Sequence, residues 1–172
     1  MKLRTKTVVV AMTVSLLSTL LGTASASAAG STQEQRLIAV FSSYQGIEAR
    51  TLVFATGVVN ASGYETQVRT GDTGGHAIFH FGGGNLIADY TENNFQLHFN
   101  PAACSAAPTS QGKLIIVSGT GAYVGAKGSL DFTSTGYIVG ARGADGLCLA
   151  DKAPSKSDAV LINATGKITI KK

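Results

Sequence analysis

The chain has 172 residues, with 14 Lys and Arg against 10 Asp and Glu. Three of the basic residues, Lys2, Arg4 and Lys6, stand before residue 29, which leaves 11 basic against 10 acidic in the remainder. That near balance, without a clustered basic patch, excludes a nucleic-acid footprint, and the length suits one domain rather than two.

The first element is a leader. Lys2, Arg4 and Lys6 precede an apolar run from Val8 to Leu21. Ala24-Ser25-Ala26 and Ala26-Ser27-Ala28 then offer small-residue cleavage steps. This order predicts a signal peptide over residues 1–28, cut after Ala26 or Ala28. The run is diluted by Thr13, Ser15, Ser18 and Thr19 and is too short for a span of about 20 residues. The expectation is a secreted, extracellular protein, bacterial in style, with no membrane attachment after cleavage.

Residues 29–172 show alternation in place of helical spacing. Strands are expected at Arg36–Ser42, Thr51–Val59, Tyr64–Arg69, His76–Phe81, Leu86–Thr91, Phe95–Phe99, Lys113–Ser118, Ser129–Val139 and Ala159–Ile170. Val, Ile, Thr, Phe and Tyr populate them. Turns are expected at Asn60-Ala61-Ser62-Gly63, Gly71 to Gly75, Gly82 to Asn85 and Glu92-Asn93-Asn94. Asn100 to Gln111 and Gly140 to Lys156 stand as longer irregular stretches. Short links between adjacent runs favour a hairpin-connected meander, and closure would remove exposed edges. The prediction is an all-β fold: a single antiparallel up-and-down barrel of about eight strands over 29–172.

Cys104 and Cys148 are the only cysteines. An even count in an exported chain predicts one structural disulfide. It would close a loop of about 45 residues, worth roughly 4 kcal/mol by chain entropy.

Between two strand-like runs stands Gly119-Thr120-Gly121-Ala122-Tyr123-Val124-Gly125-Ala126-Lys127-Gly128, followed by Phe132. Neither the P-loop nor the dinucleotide-binding spacing is met, so Gly119, Gly121, Gly125 and Gly128 read as structural. The segment resembles the GTGxYxGAxGxxxF signature of the allene oxide cyclase barrel-like superfamily. That superfamily takes in plant allene oxide cyclases, dirigent proteins and many small secreted bacterial proteins. Phe99-Asn100-Pro101-x-x-Cys104 is similar to the FDPxxC segment of the bacterial members, with Asn where Asp is usual. Asp72 with His76–Phe81 and the Gly82-Gly83-Gly84 turn also fits, as does Ala164-Thr165-Gly166-x-Ile168-x-Ile170. The resemblance covers roughly residues 50–172. It implies an eight-stranded barrel with a central cavity and carries over no functional residue.

Chemistry-bearing residues are sparse. His76 and His80 share a strand face, but Cα atoms four apart are about 13 Å apart, too far for one tetrahedral ion. His80 with His98 is the remaining pair. No metal, cofactor or catalytic set is expected, and no Ser-His-Asp pattern is present. His80, His98 and Asp89 are the candidate ligand-binding residues, Asp89 only if it faces inward.

Three functions fit these observations. The leading one is a barrel that binds a small apolar or aromatic molecule in its central cavity without catalysis. The second is a cavity isomerase or cyclase working by shape and water exclusion. The third is a structural or interaction module with a filled barrel. A homo-oligomer is compatible with each.

Overall fold

The computed structural model describes residues 32–44, 47–48, 50–149 and 155–171. The predicted signal peptide, 1–28, lies outside the described residues. The strands are β1 (Gln33–Tyr44), β2 (Ile47–Glu48), β3 (Thr51–Gly57), β4 (Ala61–Gly71), β5 (Gly74–Phe81), β6 (Gly84–Asn100), β7 (Ser105–Gly119), β8 (Lys127–Val139) and β9 (Ser157–Thr169). Among the described residues one 3-10 turn is present, at Gly121–Tyr123.

Every ladder is antiparallel, and every neighbour is next in sequence except β1–β3, which skips the short β2, and the closing pair β9–β1. The order is β1-β3-β4-β5-β6-β7-β8-β9, and β9 pairs back onto β1 from Gln33↔Ile168 to Tyr44↔Ser157. This is a closed eight-stranded up-and-down barrel, with β2 a short extension paired to the end of β1. Closure leaves the barrel proper without an unpaired edge.

The period of two decides what faces in. On β1, Leu37 and Ala39 are buried while Arg36 and Ile38 alternate with them outward. Val53, Ala77, Leu86, Ala88, Leu130 and Ile168 are fully or almost fully buried from five other strands. Fully burying one such Leu or Ile contributes about 1.5–3 kcal/mol.

One end of the barrel is plugged. Gln35 is 2% exposed; its Oε1 accepts the Val59 N–H at 2.9 Å and its Nε2 donates to the Val59 carbonyl at 3.2 Å. That side chain pins the β3–β4 turn over the opening. The 3-10 turn caps the same end. Ala122 N–H donates to the Gly83 carbonyl at 2.8 Å, and the Tyr123 ring meets Phe81 edge-on at 5.9 Å. Gly121 has φ +59, and a Cβ there would lie 2.3 Å from the Gly83 carbonyl oxygen. No other residue fits that approach. Gly119 ends β7, Gly128 lies in β8, and Gly125 takes φ +78 just before the buried Ala126.

Three sequence expectations need correcting. The turn expected at Asn60-Ala61-Ser62-Gly63 lies at 58–60, and Ala61, Ser62 and Gly63 already belong to β4. Glu92-Asn93-Asn94 is not a turn: the chain runs on through it, so the two predicted strands Leu86–Thr91 and Phe95–Phe99 are one strand, β6. The register against β7 slips between Asn93 and Gln96, and Asn94 takes φ 51. This is a β-bulge, for which Asn suits the left-handed position. Asn100 to Gln111 is likewise mostly strand. Only residues 101–104 turn, and Pro108 stands opposite Leu97 within the ladder.

Cys104 and Cys148 are bonded, with their Cα atoms 5.3 Å apart. The bond ties the β6–β7 turn to the segment after β8. Arg142 reinforces it by donating to the Ala102 carbonyl at 2.6 Å.

Candidate functional site

The opposite half of the barrel is not filled. A cavity of about 70 Å³ sits at mid-barrel and opens past Glu65, Gln67, Glu92 and Ile162 into a solvent-facing vestibule of about 690 Å³. Its floor and one wall are apolar: Leu37 and Ala39 from β1, Phe79 from β5, Leu114 from β7, Phe132 from β8 and Ala164 from β9. Its other wall is polar and comes from two strands. β4 turns Glu65, Gln67 and Arg69 into it, and β6 turns in Tyr90 and Glu92.

The polar wall follows from strand period. Glu65, Gln67 and Arg69 are two apart and share a face, so Tyr64, Thr66 and Val68 must face out. Val68 is accordingly 64% exposed. Gly75 on β5 makes room for the Tyr90 hydroxyl, which would stand 2.9 Å from a Cβ at that position.

Most of this polar wall is internally satisfied. Arg69 donates to Glu92 Oε2 at 2.7 Å and to the Asp72 carbonyl at 2.8 Å. Ser110 donates to Glu92 Oε1 at 3.2 Å. The hydrogen bond to Glu92 raises the Arg69 pKa further above its usual range. Burial raises that of the Tyr90 hydroxyl, with Arg69 pulling the other way.

Glu65 is the exception. It is only 7% exposed. Gln67 donates to its Oε1 at 2.6 Å, but its Oε2 is buried with no hydrogen-bond partner. Burial raises its pKa above the ordinary carboxylate value, and the Gln67 hydrogen bond opposes that only in part. A buried polar atom left without a partner costs about 1–3 kcal/mol. A carboxyl with one orphan oxygen on the wall of a cavity marks a place where a bound molecule would gain.

The residues singled out in the sequence stand elsewhere. His80 lies on the outer face of β5, its ring stacked on Tyr64 at 4.4 Å and its Nε2 3.0 Å from Thr66 Oγ1. Asp89 pairs with His76 Nδ1 at 2.5 Å, both side chains more than half exposed. His98 is exposed on the far stretch of β6. His80 pairs with Asn85 near the plugged end, whereas His98 pairs with Ala107 beyond the open end, so they do not meet. None of the three lines the cavity. Among the described residues, no group of three or more His, Cys, Asp or Glu could hold a metal ion.

The polar wall was missed because β4 inverts the usual pattern. The stretch Tyr64 to Arg69 alternates apolar and polar like any half-buried strand, which places Tyr64 and Val68 inside by default. The available signal was the density of charge and amide on the other face of that one strand.

No family model matches the chain, and no curated protein or solved structure matches it.

Proposed function

We propose that this is a secreted binding protein whose barrel takes a small apolar or aromatic molecule at its open end. It stands as a member of the allene oxide cyclase barrel-like superfamily within the same proposal. The carrying observation is the half-filled interior: one end is sealed by Gln35 and Tyr123, and the other leaves an apolar chamber beneath an open vestibule. A closed barrel of eight strands is wide enough for one small ligand, and apolar walls with a few placed polar groups are the usual make-up of such sites. The bonded cysteine pair fits an oxidising destination.

A screen of apolar and aromatic compounds by thermal shift, with and without chelator, tests the reading. Stabilisation that is indifferent to chelator is expected, with micromolar binding for the best compounds. Absence of stabilisation by any compound would favour the filled-module reading.

Glu65 favours a second reading, a cavity isomerase or cyclase. A buried carboxyl with a raised pKa, on the wall of a cavity, is suited to giving and taking a proton. Turnover of a cyclisable substrate that Glu65→Gln abolishes, while binding persists, would establish it.

A further inference from the structure

The ligand's chemistry can be taken one step further, on the footing of the binding reading above. Besides the Tyr90 phenol, the walls of the chamber carry two carboxylates and one guanidinium: Glu65, Glu92 and Arg69. Arg69 and Glu92 answer each other at 2.7 Å, and their remaining polar atoms meet Asp72 and Ser110. Arg50, at the vestibule, lies over the outward Tyr64 ring at 4.2 Å and so is drawn away from the chamber. Glu65 alone has no counter-charge, and its Oε2 has no donor.

Candidate ligands differ in how they meet that carboxylate. A hydrocarbon would desolvate it further and leave it unmatched. An anion would add repulsion to desolvation. A neutral alcohol or phenol would supply the missing donor but not the missing charge. An ammonium group supplies both, and hydrogen bonds between ionised partners are roughly twice as strong as neutral ones. Glu65 borders both the chamber and the vestibule, so a head group there sits directly above the apolar floor. The chamber's 70 Å³ holds on the order of five water-sized groups. That suits a small ring or branched alkyl end, with any remainder in the vestibule.

We propose that the barrel binds a small primary or secondary amine with an apolar or aromatic body, its ammonium on the Glu65 carboxylate and its body between Leu37, Phe79, Leu114 and Phe132.

Benzylamine, benzyl alcohol and benzoate share a ring and differ in the head group. Each is titrated at neutral pH into the wild-type protein and the Glu65→Gln variant, following the methyl NMR signals of Leu37, Leu114 and Ile162. Benzylamine should bind wild type about tenfold more tightly than benzyl alcohol, the ratio a charge-assisted bond supports. Benzoate should bind most weakly. In Glu65→Gln the amine and the alcohol should come within about twofold. Equal or tighter binding of the alcohol to wild type overturns the amine proposal and leaves the cavity reading standing. So does an amine preference that survives Glu65→Gln. Absence of response at all three methyl groups with every compound overturns both. The comparison of head groups on wild type decides the matter even if the variant folds poorly.

Discussion

Glu65 is where local chemistry and stability oppose each other. Its carboxyl is buried with one of its two oxygens unmatched, so folding shifts it toward the protonated form relative to the unfolded chain. A carboxyl whose folded pKa lies above its unfolded value of about 4.5 binds more protons when folded. Its contribution is therefore complete below that value and is lost as pH rises through the folded pKa. The ligand-free protein should thus lose this contribution as pH rises from about 4.5 through the folded pKa, with a slope from this group of at most about 1.4 kcal/mol per pH unit. Urea unfolding across that range should show the decline in wild type and a flatter profile in Glu65→Gln. A wild type that gains stability steadily over the same range would contradict this assignment. Gly121 poses a different constraint, because its left-handed φ and its contact with Gly83 both exclude a side chain. Gly121→Val should cost upwards of about 2 kcal/mol, whereas Lys127→Ala, on an exposed side chain, should stay within about 0.5 kcal/mol. Equal melting temperatures for the two variants would remove the capping role of the 3-10 turn.

Among the elements, the disulfide and the bulge in β6 shape the open end. The Cys104–Cys148 bond spans 44 positions and anchors the turn at the tip of the longest strand. Cys104→Ala should lower stability by about 2–4 kcal/mol, read by denaturant unfolding, and quantitative alkylation of both thiols without reductant would refute the bond. How much of each element was legible depended on its turn chemistry. The two-residue links at Asp72-Thr73 and Gly82-Gly83 were readable because glycine and Asx residues mark such turns. Glu92-Asn93-Asn94 has the same composition, yet it sits opposite an uninterrupted β7 and becomes a bulge. Composition is common to both outcomes, and only the partner strand separates them. Pro108 misled in the same way: it suggested a loop, but a proline opposite Leu97 needs only that its missing N–H be spared.

At the scale of the whole molecule, closure was inferable from short links and the need to protect edges, and it is what the ladder from β9 to β1 provides. The candidate site was not inferable, because facing depends on register. A slip of one residue exchanges the two faces of a strand, and the charge and amide gathered on one face of Tyr64–Arg69 mark that face without fixing it as the inner one. The pairing Glu65↔Phe79 with β5 fixes it, since Phe79 is buried in the core. The account stands or falls on the unfilled half of that core. A crystal of the protein held under xenon pressure tests it most directly, because xenon enters apolar cavities and not packed interiors. The account predicts a xenon atom at mid-barrel among Leu37, Phe79, Leu114 and Phe132. A barrel filled there by its own side chains, with no xenon site between them, would contradict it.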